Sequence, residues 1–174
     1  YLFGQDKNAP IAADGRSCSP QGAIWGLGGS IRVHLWKYLR TGFEGGVSNM
    51  NSGWTDCNEI LQKGSYVRMG YGGVLADACW RLEKIWPYIG GTIGGGTIKG
   101  LYILEGNQED WIAETHSVFH KNSFFYVTPY VGFDYCMTKR IHLTFRLDWM
   151  LAFHKNELVM PTGPRLYFGF MFTH

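Results

Sequence analysis

All eight lysines of this chain (Lys7, Lys37, Lys63, Lys84, Lys99, Lys121, Lys139 and Lys155) fall in stretches that read as turns or loops, or at their margins. Between them run segments in which large apolar residues alternate with glycine, arginine and small polar residues. A sheet whose outer face meets water carries long charged side chains on that face. Gly-interrupted strands kept clear of lysine suit instead a closed β-barrel whose outer face meets lipid.

The alternation has period two, the signature of strands. From residue 22 to 35 one parity carries Trp25, Leu27, Ile31, Val33 and Leu35, and the other Gly26, Gly28, Ser30, Arg32 and His34. The next run sets Leu39, Thr41, Phe43 and Val47 against Arg40, Gly42, Glu44, Gly46 and Ser48. Residues 65–79 set Val67, Met69, Tyr71 and Leu75, read as outward, against Tyr66, Arg68, Gly70, Gly72 and Ala76. Asp77 falls on the apolar parity there, which a bulge or the strand margin would absorb. Residues 85–99 are glycine-rich and alternate least. Residues 123–136 divide Phe125, Val127, Val131 and Phe133 from Tyr126, Thr128, Tyr130 and Asp134. The last two runs are the cleanest: Ile141, Leu143, Phe145, Leu147, Trp149 and Leu151 against His142, Thr144, Arg146 and Asp148, then Leu166, Phe168, Phe170 and Phe172 against Arg165, Tyr167, Gly169 and Met171.

Connections alternate short (36–38, 80–84, 137–140) and long (51–63, 100–122, 152–163), so the short turns share one end of a barrel. Counting back, residues 6–20 form another long loop and residues 1–5 are what remains of a first strand. The expectation is a single all-β domain over residues 1–174: an eight-stranded antiparallel up-and-down barrel with both termini at the short-turn end. Aromatics form two girdles, Trp36, Tyr38, Trp80, Trp86 and Tyr135 at the short-turn end and Trp25, Phe124, Phe125 and Trp149 near the long loops. No stretch reaches the roughly 18 consecutive apolar residues of a transmembrane helix. The opening residues have no basic and apolar leader, which reads as a mature chain. A mean hydropathy of −0.13 fits a soluble protein and a transmembrane barrel equally, since inward polar residues dilute every strand. The net charge of +2 is spread singly with no basic block, so nucleic acid is not an expected partner.

The terminal run Gly163, Pro164, Arg165, Leu166, Tyr167, Phe168, Gly169, Phe170, Met171, Phe172 is similar to the alternating aromatic end recognised by the machinery that assembles outer-membrane barrels, although Thr173 and His174 follow it here. By pattern, the chain resembles over nearly its whole length the small eight-stranded outer-membrane barrels of Gram-negative bacteria, of the OmpX, Ail and OmpA-barrel kind. That resemblance implies a bacterial outer-membrane location, contact with outer-membrane lipid, a periplasmic N-terminus and loops at the cell surface.

On the inward parity stand Arg32, Arg40, Glu44, Arg68, Asp134, Arg146, Asp148 and Arg165. A lumen this narrow is filled by side chains, so paired arginines and carboxylates are expected as packing, with a gated pore as the lesser reading. Glu114, His116 and His120 in a long loop offer weak metal-ligand spacing, against which stands a short amphipathic cap carrying Trp111, Ile112, Val118 and Phe119. No metal or cofactor is therefore expected. Cys18 and Cys57 lie in adjacent long loops and could pair in an oxidising exterior. Cys79 and Cys136 are separated by an intervening strand, near the limit of disulfide reach. Trp54 and Trp111 are the loop aromatics most suited to contact a partner, or else pack within their own loops.

Three functions compete. The first is a structural or surface-interaction barrel, not an enzyme, working through its long loops and open to a protein partner there or within an envelope complex. The second is a soluble lipocalin-like barrel with its faces reversed and a small apolar ligand inside. The third is a lipid-modifying barrel enzyme drawing on His34, His142 and His154.

Overall fold

A computed structural model describes residues 24–50, 66–103, 117–138, 140–153 and 162–172. Seven strands follow in chain order: β1 (Trp25–His34), β2 (Leu39–Met50), β3 (Tyr66–Cys79), β4 (Ile85–Ile103), β5 (Ser117–Cys136), β6 (Ile141–Phe153) and β7 (Gly163–Phe172). Each is antiparallel to its neighbours in sequence, and the sheet order is the chain order. Tight connections dictate this meander, because only antiparallel neighbours can be joined by a few residues. At the turn before β6, the Thr138 hydroxyl accepts hydrogen bonds from the backbone N–H groups of Arg140 and Ile141, a side-chain substitute for a backbone turn.

The sheet curls into a half-barrel. Arg40 on β2 reaches Asp134 on β5 at 2.8 Å, although in a flat sheet those strands would lie about 14 Å apart. Glu44 on β2 likewise meets Arg146 on β6. Strand curvature this strong is permitted by glycine on the inner face. A Cβ on Gly42 would run into the carbonyl oxygen of Ile31 on the adjacent strand. Elsewhere inward glycine makes room for an inward aromatic: a Cβ at Gly46 would lie 2.7 Å from the Tyr71 hydroxyl, and one at Gly73 would lie 2.9 Å from that of Tyr126. Large and small residues thus interlock across the concave face, each ring lying over a bare stretch of backbone.

The two faces have reversed polarity relative to a water-soluble domain. Toward the concave side lie Arg40, Glu44, Asp77, Asp134, His142, Arg146 and Asp148, all buried. Met50, Val67, Met69, Ile98, Phe124 and Met150 close the concave side toward the long-loop end. On the convex side Trp25 is 81% exposed and Leu27 83%, with Ile31, Phe43, Val74, Ile93, Leu147 and Leu166 also exposed. Phe133, Phe145 and Phe168 oppose one another across β5, β6 and β7 on that face, with ring centroids 5.1 and 4.9 Å apart.

Several expectations need correction. The described sheet has seven strands and is not closed: β1 and β7 each have one unpaired edge. β1 is exposed on both faces except at Arg32, as befits a strand beside an opening. In β3 the faces are the reverse of those expected. Val67, Met69, Leu75 and Asp77 are buried, while Arg68, Gly72, Val74 and Ala76 are exposed. The register from Leu39↔Ala78 to Met50↔Val67 runs without interruption, so Asp77 sits on the inner face with no bulge. β4 and β5 are longer than expected, at 19 and 20 residues. Lys99 and Lys121 are therefore within strands rather than at loop margins. Phe124 is buried inside, and Trp86 packs inward against His142, so neither belongs to an outer girdle. The strand expected at 1–5 and the long loops, with Trp54, Trp111, Cys18, Cys57, Glu114, His116 and His154, lie outside the described residues, as does the side chain of His120.

Gly42→Ala is expected to destabilise the folded chain by about 1–3 kcal/mol through overpacking. Gly29→Ala, on the outer face where an added Cβ meets nothing within 4 Å, is expected to be neutral or mildly stabilising. Urea midpoints of the two variants under one solvent condition check the contrast.

Candidate functional site: a charged interior beneath an open seam

Burying a charge is costly unless an opposite charge and further hydrogen bonds accompany it. The inner face meets that condition with two linked clusters. In the first, the Arg40 guanidinium donates from Nε to Asp77 Oδ1 at 2.5 Å and from Nη1 to Asp134 Oδ2 at 2.8 Å. Arg32 Nε lies 3.7 Å from Asp77 Oδ2. The Tyr130 hydroxyl donates to the same Asp77 oxygen at 3.2 Å, and Thr144 donates to Asp134 Oδ1 at 2.7 Å. Both carboxylates are thereby held by a cation and a hydroxyl.

In the second cluster Arg146 joins Glu44 and Asp148: Nη1 lies 2.5 Å from Glu44 Oε2, and Nη2 lies 2.9 Å from Asp148 Oδ2. Arg165 grips Asp148 with two parallel bonds of 2.7 and 3.1 Å, the fork geometry that distinguishes arginine from lysine. Tyrosine rings pack against the guanidinium groups. Arg32 and Arg40 each lie 4.8 Å from the Tyr88 ring centroid. Tyr130 carries Arg146 at 3.9 Å and Arg32 at 5.9 Å, so one side chain ties the clusters together. Arg32 Nε, Arg40 Nη2 and Arg146 Nε are buried without a hydrogen-bond partner; the aromatic faces add to the attraction that the carboxylates supply to these guanidinium groups. Four arginines (32, 40, 146 and 165) face four carboxylates (44, 77, 134 and 148), so the network is formally neutral.

Seven of the eight expected interior residues, all but Arg68, enter this network. Asp77, Tyr88, Tyr130 and Thr144 were missed as members. The signal for Asp77 was its presence on the β3 parity whose rings and branched side chains pack inward. His34 and His142 lie at the short-turn end. His142 is buried with its ring edge-on to Trp86 at 4.7 Å and 3.8 Å from the Cys136 sulfur. Cys79 and Cys136 are both free. Among the described residues no group of three or more His, Cys, Asp or Glu is placed to hold a metal ion, and no helix is long and apolar enough to cross a membrane.

Between the open edges of β1 and β7 lies a cavity of about 770 Å³, lined among others by Gly28, Arg32, His34, Tyr88, Arg146 and Tyr167. The Tyr167 hydroxyl would lie 3.2 Å from a Cβ built on Gly28, so a side chain of β7 reaches across the opening to β1. No protein-family model, curated protein or solved structure matches the chain.

Asp134→Ala, which leaves Arg40 sharing Asp77 with Arg32 and the buried network one negative charge short, is expected to cost about 3–5 kcal/mol of stability. Arg68→Ser, outside the network, should leave the unfolding midpoint nearly unchanged. Equal losses in the two variants would contradict the division of faces.

Proposed function

We propose that the protein is an outer-membrane β-barrel with a side-chain-filled lumen, serving as a structural or surface-interaction protein through its long loops. The observation that carries this reading is the reversed polarity: a convex face of exposed Leu27, Ile31, Phe43, Val74, Ile93, Leu147 and Leu166 around a concave face of paired charges. So large a continuous apolar surface has to be covered by lipid or by another protein. A soluble barrel with an apolar ligand would require the opposite assignment of faces. The interlocked Arg, Asp and Tyr side chains favour a filled cylinder over a pore, and the working surface is then left to the loops.

Closure by an eighth strand is part of the proposal, with residues 1–5 as its candidate. The seam between β1 and β7 has two unsatisfied edges, and unpaired backbone facing hydrocarbon costs several kcal/mol per group. A strand of five residues there would pair with about half the length of each ten-residue edge and narrow the seam. Barrels of this kind remove the edge altogether.

The test is electrophoretic migration with and without boiling, beside an extraction in plain buffer. A detergent-dependent compact band that shifts on boiling is expected. Monodisperse protein in buffer alone would overturn the membrane reading. Deletion of residues 1–5 is expected to abolish the compact band; if that band survives, this segment is not the closing strand.

A further inference from the structure

The placement of Arg68 on the outer face of β3 brings three cations into line. Arg68 pairs with Lys99 on β4, and Lys99 with Lys121 on β5. All three are exposed and share the outward parity of Val74, Ile93 and Phe125. Directly opposed like charges destabilise a sheet. No carboxylate among the described residues offsets the repulsion: Arg68 lies 5.4 Å from the Tyr66 ring centroid, none of the three enters an ion pair with a described residue, and the described acids line the concave side except Glu83, which stands in a short turn at the other end.

The surroundings of the row are equally specific. One step toward the middle of the convex face, directly below the three cations, stand Gly70, Thr97 and Ser123, themselves paired across the same strands. A Cβ on Gly70 would meet nothing within 4 Å, so packing within the sheet does not require glycine there. The result is a shallow shelf three strands wide beneath three positive charges. Beyond it come Val74, Ile93 and Val127 in register. In the opposite direction along the row lie Asn49 and then Trp25, whose exposed indole is the kind of ring that settles at a membrane interface.

We propose that Arg68, Lys99 and Lys121 form a docking strip for lipid phosphate groups in the leaflet at the long-loop end, with the shelf of Gly70, Thr97 and Ser123 receiving the head group and its first chain atoms. This rests on the membrane reading above. Charge complementarity chooses the partner: the guanidinium can bind a phosphate through two parallel bonds, and the ammonium groups act as point charges beside it. A lipid also supplies the apolar chain that the adjoining face requires, which a free anion or a polyanion does not.

The experiment is native mass spectrometry of the full chain in nanodiscs holding equal amounts of phosphatidic acid and phosphatidylcholine, counting the lipid species retained on release. Wild-type protein is expected to retain phosphatidic acid preferentially, and the preference should weaken as salt rises. Each cation removed is expected to lower retention about fivefold, so Lys121→Ser alone gives a measurable effect if the triple serine variant fails to fold. Lys37→Ser with Lys84→Ser, in turns at the opposite end, should leave retention unchanged. Equal retention by wild type and Lys121→Ser would overturn the strip while leaving the membrane reading intact. A chain that enters no nanodisc of either composition would overturn both.

Discussion

A strand projects its side chains alternately to two sides, and in this chain one of those sides is a trough crowded with buried charges and aromatic rings. Every charge placed there must find its counter-charge among residues that the same curvature brings within reach. Arg40 can hold Asp134 only because the sheet curls; the sheet can curl because glycine at positions such as Gly42 lets neighbouring backbones close up. Curvature and charge pairing therefore depend on each other. Removing one carboxylate leaves a buried guanidinium in a place shaped for two partners.

The tyrosines give this interior its coherence. A neutral set of four arginines and four carboxylates could collapse into many pairings of similar energy. Tyr88 and Tyr130 each take two guanidinium groups against their rings, and that packing narrows the ways in which cations and carboxylates can be matched. Opposite the rings stand glycines, as in the pairs Tyr88↔Gly132 and Tyr130↔Gly90. The abundance of both residue types follows from a single packing scheme.

Much of this was legible in the sequence. In β5, β6 and β7 large apolar residues alternate with charged or hydroxylated ones, so parity and polarity agree and the inner set was read correctly. β3 defeats that logic. Its inner parity carries Val67, Met69, Tyr71 and Leu75, and its outer parity carries Arg68, Gly70 and Gly72. Period two separates two faces without saying which faces inward; hydrophobicity supplies that sign only when one face is wet. Here the concave side is apolar toward the long-loop end and charged toward the short turns, so Asp77 alone pointed the right way. Strand length was underestimated for the corresponding reason, since glycine-rich β4 hardly alternates and its extent is set by pairing with β5.

That length has its own result. β5 is paired with β4 from Ser117 onward but with β6 only from Phe125. The first eight residues of β5 thus pair with β4 on one side and, among the described residues, with nothing on the other. Up to Leu101 the β4 side of this pairing is backed in turn by β3, so the segment is one border of a sheet rather than a free arm. Along those eight residues every second backbone N–H and C=O points away from β4 with no partner among the described residues, so the chain offers there a rail on which one further extended segment can be laid.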